Sequence, residues 1–404
     1  MIKDVFHQIT IEEKNMKNVQ KKVPSLLLII VLVGFPQISE SIFTPVLPAL
    51  SQGFHVSAQT AQLTMSSYFV AFAFGVVIWG NLADRFGRRP AMLGGIMIYL
   101  IGNLGLWLAD DFNLLLAARL IQAFGASAGS VVTQTMMRES FSGVRGAQVF
   151  AKVSAAMALS PALGPLIGGL AQTYFGYRGV FSTLIAMATV ILLYAGLRLP
   201  ETRVATEYQQ VNLWQLIIRL LTDQRVWAYS LVIAGINGIL FSYYAEAPFI
   251  FIDYFKLSPI QYGALGLVIA FASLAGAMLV NRLVLRYTAV AVAKSGLVLA
   301  LICSGGLLAA SLQTSFIGML VGIFGVFLGL NITLPMALNL ALIGYEDVMG
   351  SASGMFSFGY YLLISALTYL MSRMHDGTIT RLPLYMVGVI AAMLIVYGVT
   401  VRKK

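Results

Sequence analysis

A chain of 404 residues in which 59% of side chains are hydrophobic and only 10% charged, with a mean hydropathy of +0.84, is far more apolar than soluble domains, which carry about 25% charged residues. These figures exclude a soluble enzyme or nucleic-acid-binding protein and point to a polytopic membrane protein. The net charge of +10 then belongs to topology, because Lys and Arg collect beside spans on one side of a bilayer. The single cysteine, Cys303, rules out an internal disulfide and gives no support to a thiolate metal site.

Residues 1–23 read as a polar cytoplasmic tail ending at Lys21-Lys22-Val23, too polar for the start of a cleaved signal peptide. Apolar stretches follow at 24–49, 60–82, 90–109, 112–135, 149–171, 178–198, 226–250, 261–281, 290–310, 313–339, 350–372 and 382–400. Each has roughly the 20 residues that a bilayer requires, which predicts an all-α membrane protein with twelve transmembrane helices. With both termini inside, the cytoplasmic segments take nearly all Lys and Arg residues, and the other side has only Arg178, Lys256, Arg373 and Arg381. The polar stretch 200–225 reads as a cytoplasmic linker between two six-helix bundles, 24–199 and 226–400, with a short tail at 401–404. Within the linker, Leu213 to Leu221 has the pattern of an interfacial amphipathic helix.

Between the second and third spans, Gly80-Asn-Leu-Ala-Asp84-Arg85-Phe-Gly87-Arg88-Arg89 puts one acid and three bases into a short turn. Gly80 permits close approach, and Asp84 is free to meet a helix terminus or a base across the bundle. The turn serves either as a conformational latch or only to hold the loop inside. Asn281 to Arg286 echoes it weakly in the second half. In the fifth span, Ser160-Pro161-Ala-Leu-Gly164-Pro165-Leu-Ile-Gly168-Gly169 combines helix-perturbing prolines with a smooth glycine face, as expected of closely packed or moving helices.

Three ionisable residues stand out inside apolar segments: Glu40, Arg119 and Glu246. Such residues face protein or water and mark functional paths. Three roles are open to Glu40: proton coupling, recognition of substrate charge, or a static ion pair. Arg119 sits at a comparable depth, so a pair with Glu40 is one option and anchoring on backbone carbonyls another. Gln122, three residues on, shares its helical face. Glu246, beside Tyr243 and Tyr244, reads as a ligand contact, an outer gate or second titrating group, or an interfacial residue reaching outside water; the tyrosines suit amphipathic or cationic ligands. Asn331, Thr333, Asn339, Tyr360 and Tyr361 serve either helix packing or ligand contact. The histidines, His7, His55 and His375, are scattered in expected loops or the tail as solvated residues, and no catalytic constellation is present.

Taken together, Gly80-x-Leu-Ala-Asp84-Arg85-x-Gly87-Arg88-Arg89, Arg119-x-x-Gln122 with Gly125, Gly164-Pro165-x-x-Gly168-Gly169 and Leu199-Pro200-Glu201-Thr202 resemble the signatures of the major facilitator superfamily, specifically its twelve-helix Bcr/CflA-like drug:proton antiporters. The resemblance covers nearly the whole chain. It implies the major facilitator fold and alternating access, with efflux of amphipathic drugs driven by protons across a bacterial inner membrane. Glu40 and Arg119 would carry coupling, and Glu40, Gln122, Tyr243, Tyr244, Glu246, Asn331, Tyr360 and Tyr361 would contact substrate. Gly80, Asp84, Arg85, Gly87, Arg88, Arg89, Pro161, Gly164, Pro165, Gly168 and Gly169 would serve the conformational change. No cofactor or metal is implied beyond the proton as coupling ion, and the partners are a small amphipathic substrate, protons and membrane lipids around a functional monomer, with no nucleic acid. One departure is the first span, where the group's frequent aspartate is missing and Glu40 stands one position earlier. A dedicated exporter of an endogenous metabolite, such as a siderophore, amino acid or sugar-like compound, is the alternative; a membrane receptor or scaffold fits less well.

Overall fold

The computed structural model describes residues 23–141, 143–203, 213–345 and 348–401. The tail up to Lys22 (with His7), the middle of the linker and Arg402, Lys403 and Lys404 lie outside the described residues. The described elements are helical: α1 Leu26–Ser41, α2 Leu47–Gly53, α3 Ala58–Phe86, α4 Arg88–Leu108, α5 Phe112–Ser140, α6 Gly143–Met157, α7 Ser160–Arg198, α8 Leu213–Thr222, α9 Gln224–Pro248, α10 Pro259–Leu283, α11 Ala289–Leu312, α12 Phe316–Ala341, α13 Met349–Met374 and α14 Arg381–Val401. Eleven helical segments among them are long and apolar enough to cross a membrane.

One of the eleven makes two crossings. At 39 residues, α7 would span about 58 Å if straight, roughly twice the hydrocarbon core. It turns back at Gly176, where φ is 68° and ψ −174°. Arg178, just past the bend, pairs with Asp110 in the α4–α5 connection at 3.5 Å. At the far end the Gly196 carbonyl accepts a bond of 2.7 Å from Arg89, in the first turn of α4. The two limbs therefore join opposite faces of the bundle, and α6 completes the first, giving twelve crossings. We call the face bearing the α3–α4 turn the basic face, and the face bearing the α4–α5 connection the distal face.

The spans are less continuous than their hydropathy suggests. The stretch 24–49 is α1, a 3-10 turn at Thr44–Val46 and then α2, because Pro45 and Pro48 each lack an amide donor. The stretch 149–171 is broken between Met157 and Ser160, with Pro161 in the first turn of α7. After Pro248, α9 widens into a π-helical segment, Phe249–Tyr254. The amphipathic stretch of the linker forms α8, in which Leu216 and Leu220 are buried while Trp214, Ile218 and Leu221 are exposed.

Two six-crossing bundles, α1–α7 and α9–α14, meet along two seams, α3 on α13 and α7 on α10. The α7–α10 seam brings backbone against backbone, with the carbonyls of Pro161 and Pro165 facing Gly266 and Gly263, and Gly169 facing the Pro259 carbonyl. Within the first bundle, Gly164 faces Ser41 and Gly168 the Ile42 carbonyl at the end of α1. A Cβ at Gly168 would overlap that oxygen and also stand 2.9 Å from Pro45.

The charged turn at the basic face is locked by a residue from outside it. Gly87, with φ 105°, starts α4 without a side-chain cap. Glu201 caps the helix instead, accepting from the backbone N–H of Arg88 at 2.9 Å, Arg89 at 3.1 Å and Arg203 at 2.9 Å. A side chain at Gly87 would strike the Glu201 carboxylate. Arg88, buried, donates to Glu139 through Nε at 3.1 Å and through Nη2 at 2.6 Å, and also to Asp84. Asp84 thus pairs within its own turn, not with a base across the bundle. Arg85 is exposed, and its carbonyl accepts from Arg203 at 2.9 Å. Gly80 makes no close approach: a Cβ there would find its nearest neighbour, Val131, at an ordinary 3.7 Å.

Partial burial works against the Glu201 charge, but the N–H groups of Arg203, Arg88 and Arg89 outweigh it and hold the carboxyl below its usual range. Its stabilising effect is therefore present above the ordinary value of 4.5 and lost as pH falls through the depressed one. Glu201→Ala is expected to lower stability near neutral pH by about 1–3 kcal/mol, and the gap in melting temperature from wild type should narrow in acid; a gap independent of pH would refute the capping role. Gly168→Val should destabilise by about 1–3 kcal/mol through overpacking against α1, read as a lower melting temperature in nanodiscs, and an unchanged value would show that the contact yields without cost.

Candidate functional site

Between the bundles lies a cavity of about 260 Å³. It draws Gln37 and Glu40 from α1, Phe72 from α3, Ser130 and Gln134 from α5, Asn237, Phe241 and Tyr244 from α9, and Tyr360 and Tyr361 from α13. A second cavity of about 380 Å³ shares Ser130, Gln134, Tyr360 and Tyr361 and continues to Arg138 and Ser353, near the basic-face ends of α5 and α13. The opening therefore leads to the basic face.

The distal end is sealed between the bundles. Phe69 meets Phe241 at 4.2 Å and Phe72 meets Tyr361 at 4.8 Å between ring centroids. Further out, Ser365 donates to the Ser66 carbonyl at 2.7 Å and Ser372 to the Gln59 carbonyl at 2.8 Å. Gln59 donates to the His375 carbonyl at 2.7 Å, and Gln62 to the Glu246 carboxylate at 2.6 Å.

Glu40 is the one carboxylate in the first cavity's wall, among the described residues, and no Lys or Arg joins it there. No ion pair joins it to Arg119. The arginine is fully buried, its guanidinium 3.8 Å from the Phe43 ring centroid and 4.2 Å from that of Tyr68. It donates to Gln122 and, at 3.4 Å each, to the carbonyls of Thr64 and Ser39. The two aromatic faces supply cation–π attraction of about 2 kcal/mol when desolvated, and Nη2 has no partner. The link between Arg119 and Glu40 therefore runs through the backbone of Ser39, the residue before Glu40. Arg119 grips the chain beside the carboxylate, and Glu40 alone faces the cavity.

Several expected substrate contacts point elsewhere. Gln122 is buried, bonded to Arg119 and Asn103, because the guanidinium needs its acceptor. Tyr243 is buried against Phe327, at 5.6 Å between centroids, outside the cavity wall. Asn331 donates to the Phe327 carbonyl one turn back and packs toward Gly276, and Thr333 donates to the Ala293 carbonyl of α11. Asn339 is exposed. Glu246 is not an exposed interfacial residue: it is 1% exposed, bonded to Gln62 and to His375. His375 is likewise no solvated loop residue, with a side chain 12% exposed, whereas His55 is exposed.

The structure also adds cavity residues not singled out from sequence: Gln37, Ser130, Gln134 and Asn237. Helical spacing held the signal for two of them. Gln37 lies three residues before Glu40, and Asn237 lies seven before Tyr244, so each shares a face with a residue already noted. Pro161, Tyr244, Tyr360 and Tyr361 line the cavity. Among the described residues no group of three or more His, Cys, Asp or Glu side chains is placed to hold a metal ion.

Residues 29–368 match the Major Facilitator Superfamily profile. An uncharacterised transporter of Rickettsia bellii is 35% identical over 89% of this chain and 91% of its own length. A chloramphenicol resistance protein of Pseudomonas aeruginosa is 29% identical over 83% of this chain and 81% of its own. In fold, the chain is similar to the xylose transporter XylE from E. coli in a partially occluded inward-open conformation, with a TM-score of 0.72 at 13% identity, over 92% of this chain and 96% of that one. A hydrophobic twelve-crossing chain, with a cavity between two bundles and a family match across most of its length, belongs to the Major Facilitator Superfamily of membrane transporters.

Proposed function

We propose that this protein is a proton-coupled antiporter that exports amphipathic small molecules from the cytoplasm by alternating access. The observation that carries the reading is the lone Glu40 carboxylate in an otherwise uncharged, aromatic cavity. A carboxylate there attracts a proton or a cationic ligand, and each lowers the site's affinity for the other, which is the elementary requirement of exchange. Phe72, Phe241, Tyr244, Tyr360 and Tyr361 offer ring faces for flat apolar groups, while Gln37, Gln134 and Asn237 offer polar contacts that tolerate varied ligands. The resistance phenotype named for the Pseudomonas relative supports efflux of a drug-like compound.

On this reading the basic face is cytoplasmic, which the distribution of Lys and Arg supports, in the inner membrane of a bacterium. Substrate enters from that face, and Arg119 sets the electrostatics of Glu40 from behind without blocking the path. The bundles then rock so that the cavity faces outward, substrate leaves, and a proton taken up by Glu40 accompanies the return. The backbone-to-backbone seam of α7 and α10 suits such motion, because close glycine contacts keep side chains from interlocking. The role of Gly164, Gly168 and Gly169 is then to keep α1 and α10 close to α7 throughout the cycle.

In proteoliposomes with an imposed pH gradient, ethidium-like cations or chloramphenicol-like neutral compounds should move against protons. Glu40→Gln should reduce the effect of the gradient on substrate distribution by about tenfold or more, while unlabelled substrate still exchanges for labelled. Coupled flux of wild-type size in Glu40→Gln would remove Glu40 from the cycle. Absence of counterflow across a broad drug panel, with folded and oriented protein, would turn the assignment toward an endogenous metabolite.

A further inference from the structure

The distal seal contains an ion-paired bridge that the exchange at Glu40 does not use. His375 caps the C-terminus of α13, its N–H bonded to the Met371 and Ser372 carbonyls. Its Nδ1 stands 2.8 and 2.9 Å from the two carboxylate oxygens of Glu246 on α9. The same carboxylate accepts the Gln62 amide at 2.6 Å from α3, in the other bundle. Gln62 Oε1 is buried without a partner, which leaves the bond to Glu246 as the reason for placing an amide there. One turn earlier on α3, Gln59 holds the His375 carbonyl. The two glutamines of the first bundle thus grip both ends of one Glu246–His375 pair in the second, and it is these two amide bonds, aimed at a carboxylate and a carbonyl that the pair holds in place, that join the bundles.

We propose that the Gln62–Glu246–His375 bridge is a pH-sensitive latch on the distal gate, fastened while the His375 imidazole carries a proton and released when it loses it. Three features favour the charged imidazole in the closed gate. The Glu246 carboxylate is its direct partner, the carbonyls ending α13 place partial negative charge beside it, and a neutral ring would leave a buried carboxylate without its counter-charge, the arrangement buried pairs tolerate least. A cavity of about 310 Å³, lined by Ser51, Gln52, Glu246, Asp253 and His375, gives water a route to the ring.

The charged groups around His375 come from several elements. Besides Glu246 on α9, Asp253 of the π-helical segment and Asp376 of the α13–α14 connection act on it, and Lys256 acts on Asp253. Asp376 is held at about 2 by the Thr378 hydroxyl and N–H together with Arg381, so it stays ionised across the relevant range. The α1–α2 elements contribute only uncharged side chains to this cavity. The hydrogen bond to Glu246 outweighs burial and raises the His375 pKa above 6.5. The latch is therefore complete below that value and weakens as pH rises through the higher value of the closed state. In an export cycle with the orientation proposed above, protons outside would close the gate behind a departed substrate. The pH-dependence of the gate does not rest on that orientation or on Glu40.

The test places spin labels on the distal face at Asn113→Cys in the first bundle and Gln313→Cys in the second, in a Cys303→Ser background, and reads the distance between them in nanodiscs by pulsed electron resonance. Between pH 6 and 9 the short-distance population should fall, changing by at most about tenfold per pH unit for a single proton. His375→Gln should abolish the dependence, and His375→Arg, a permanent cation, should keep the short population at pH 9. Asp253→Asn and Lys256→Gln should leave a transition in place. An unchanged distance in the otherwise wild-type protein from pH 6 to 9, a transition that survives His375→Gln, or one that persists in His375→Arg would overturn the latch. Because the wild-type profile and the arginine variant each decide the matter alone, poor folding of His375→Gln does not rescue it.

Discussion

A membrane interior offers no water to a charge, so each ionised group inside this chain must be answered by protein, and much of the architecture follows from those answers. Arg119 shows the constraint most plainly. Two aromatic faces, two carbonyls and an amide surround its guanidinium. To supply them, α1, α3 and α5 must meet at one point, and Gly102 and Gly125 let α4 and α5 close on each other behind it. The carbonyl taken from Ser39 fixes the turn that presents Glu40, so the placement of a cation outside the cavity wall decides where the carboxylate of the cavity between the bundles stands.

The same demand is met differently at the two faces. At the basic face, Arg88 is buried among carboxylates of its own bundle, and Glu201 returns from the end of α7 to cap α4. Those bonds stiffen the first bundle and leave the second untouched. At the distal face, bonds of similar chemistry run between bundles, from Gln59 and Gln62 to His375 and Glu246. Bonds within one bundle survive a rocking motion and bonds between bundles do not. The closed distal end and the cavity open to the basic face are two views of that distribution.

Much of this was legible in the sequence because hydropathy and signature motifs are local properties. Spanning stretches, the charged α3–α4 turn and the glycine face of α7 each lie within a short run of residues, and each appears in the fold. Facing was not legible. Gln122 shares a helical side with Arg119, and a sequence cannot say whether that side meets the cavity or the partner helices. Glu246 and His375 are 129 residues apart, and Glu246 and Gln62 are 184 apart; nothing local to any of them indicates that they meet. His375 looked like a loop histidine because it follows the last turn of a span, and only the packing of α9 beside α13 encloses it. The breaks in the first and fifth crossings were visible as prolines, but their geometry depends on which helices lie alongside.

The uncharged wall around Glu40 also has a meaning for valence. One carboxylate can balance one positive charge, and the other polar side chains there, among them Gln37, Gln134 and Asn237, are dipoles without net charge. A singly charged cation therefore leaves the occupied cavity neutral. A second charge on the same molecule would stand uncompensated among aromatic rings, at an effective cost of several kcal/mol even after relaxation. On the proposed function, the cavity would sort its occupants by how many charges they bring before it sorts them by shape, so that a breadth of accepted skeletons would go with a narrow rule on charge.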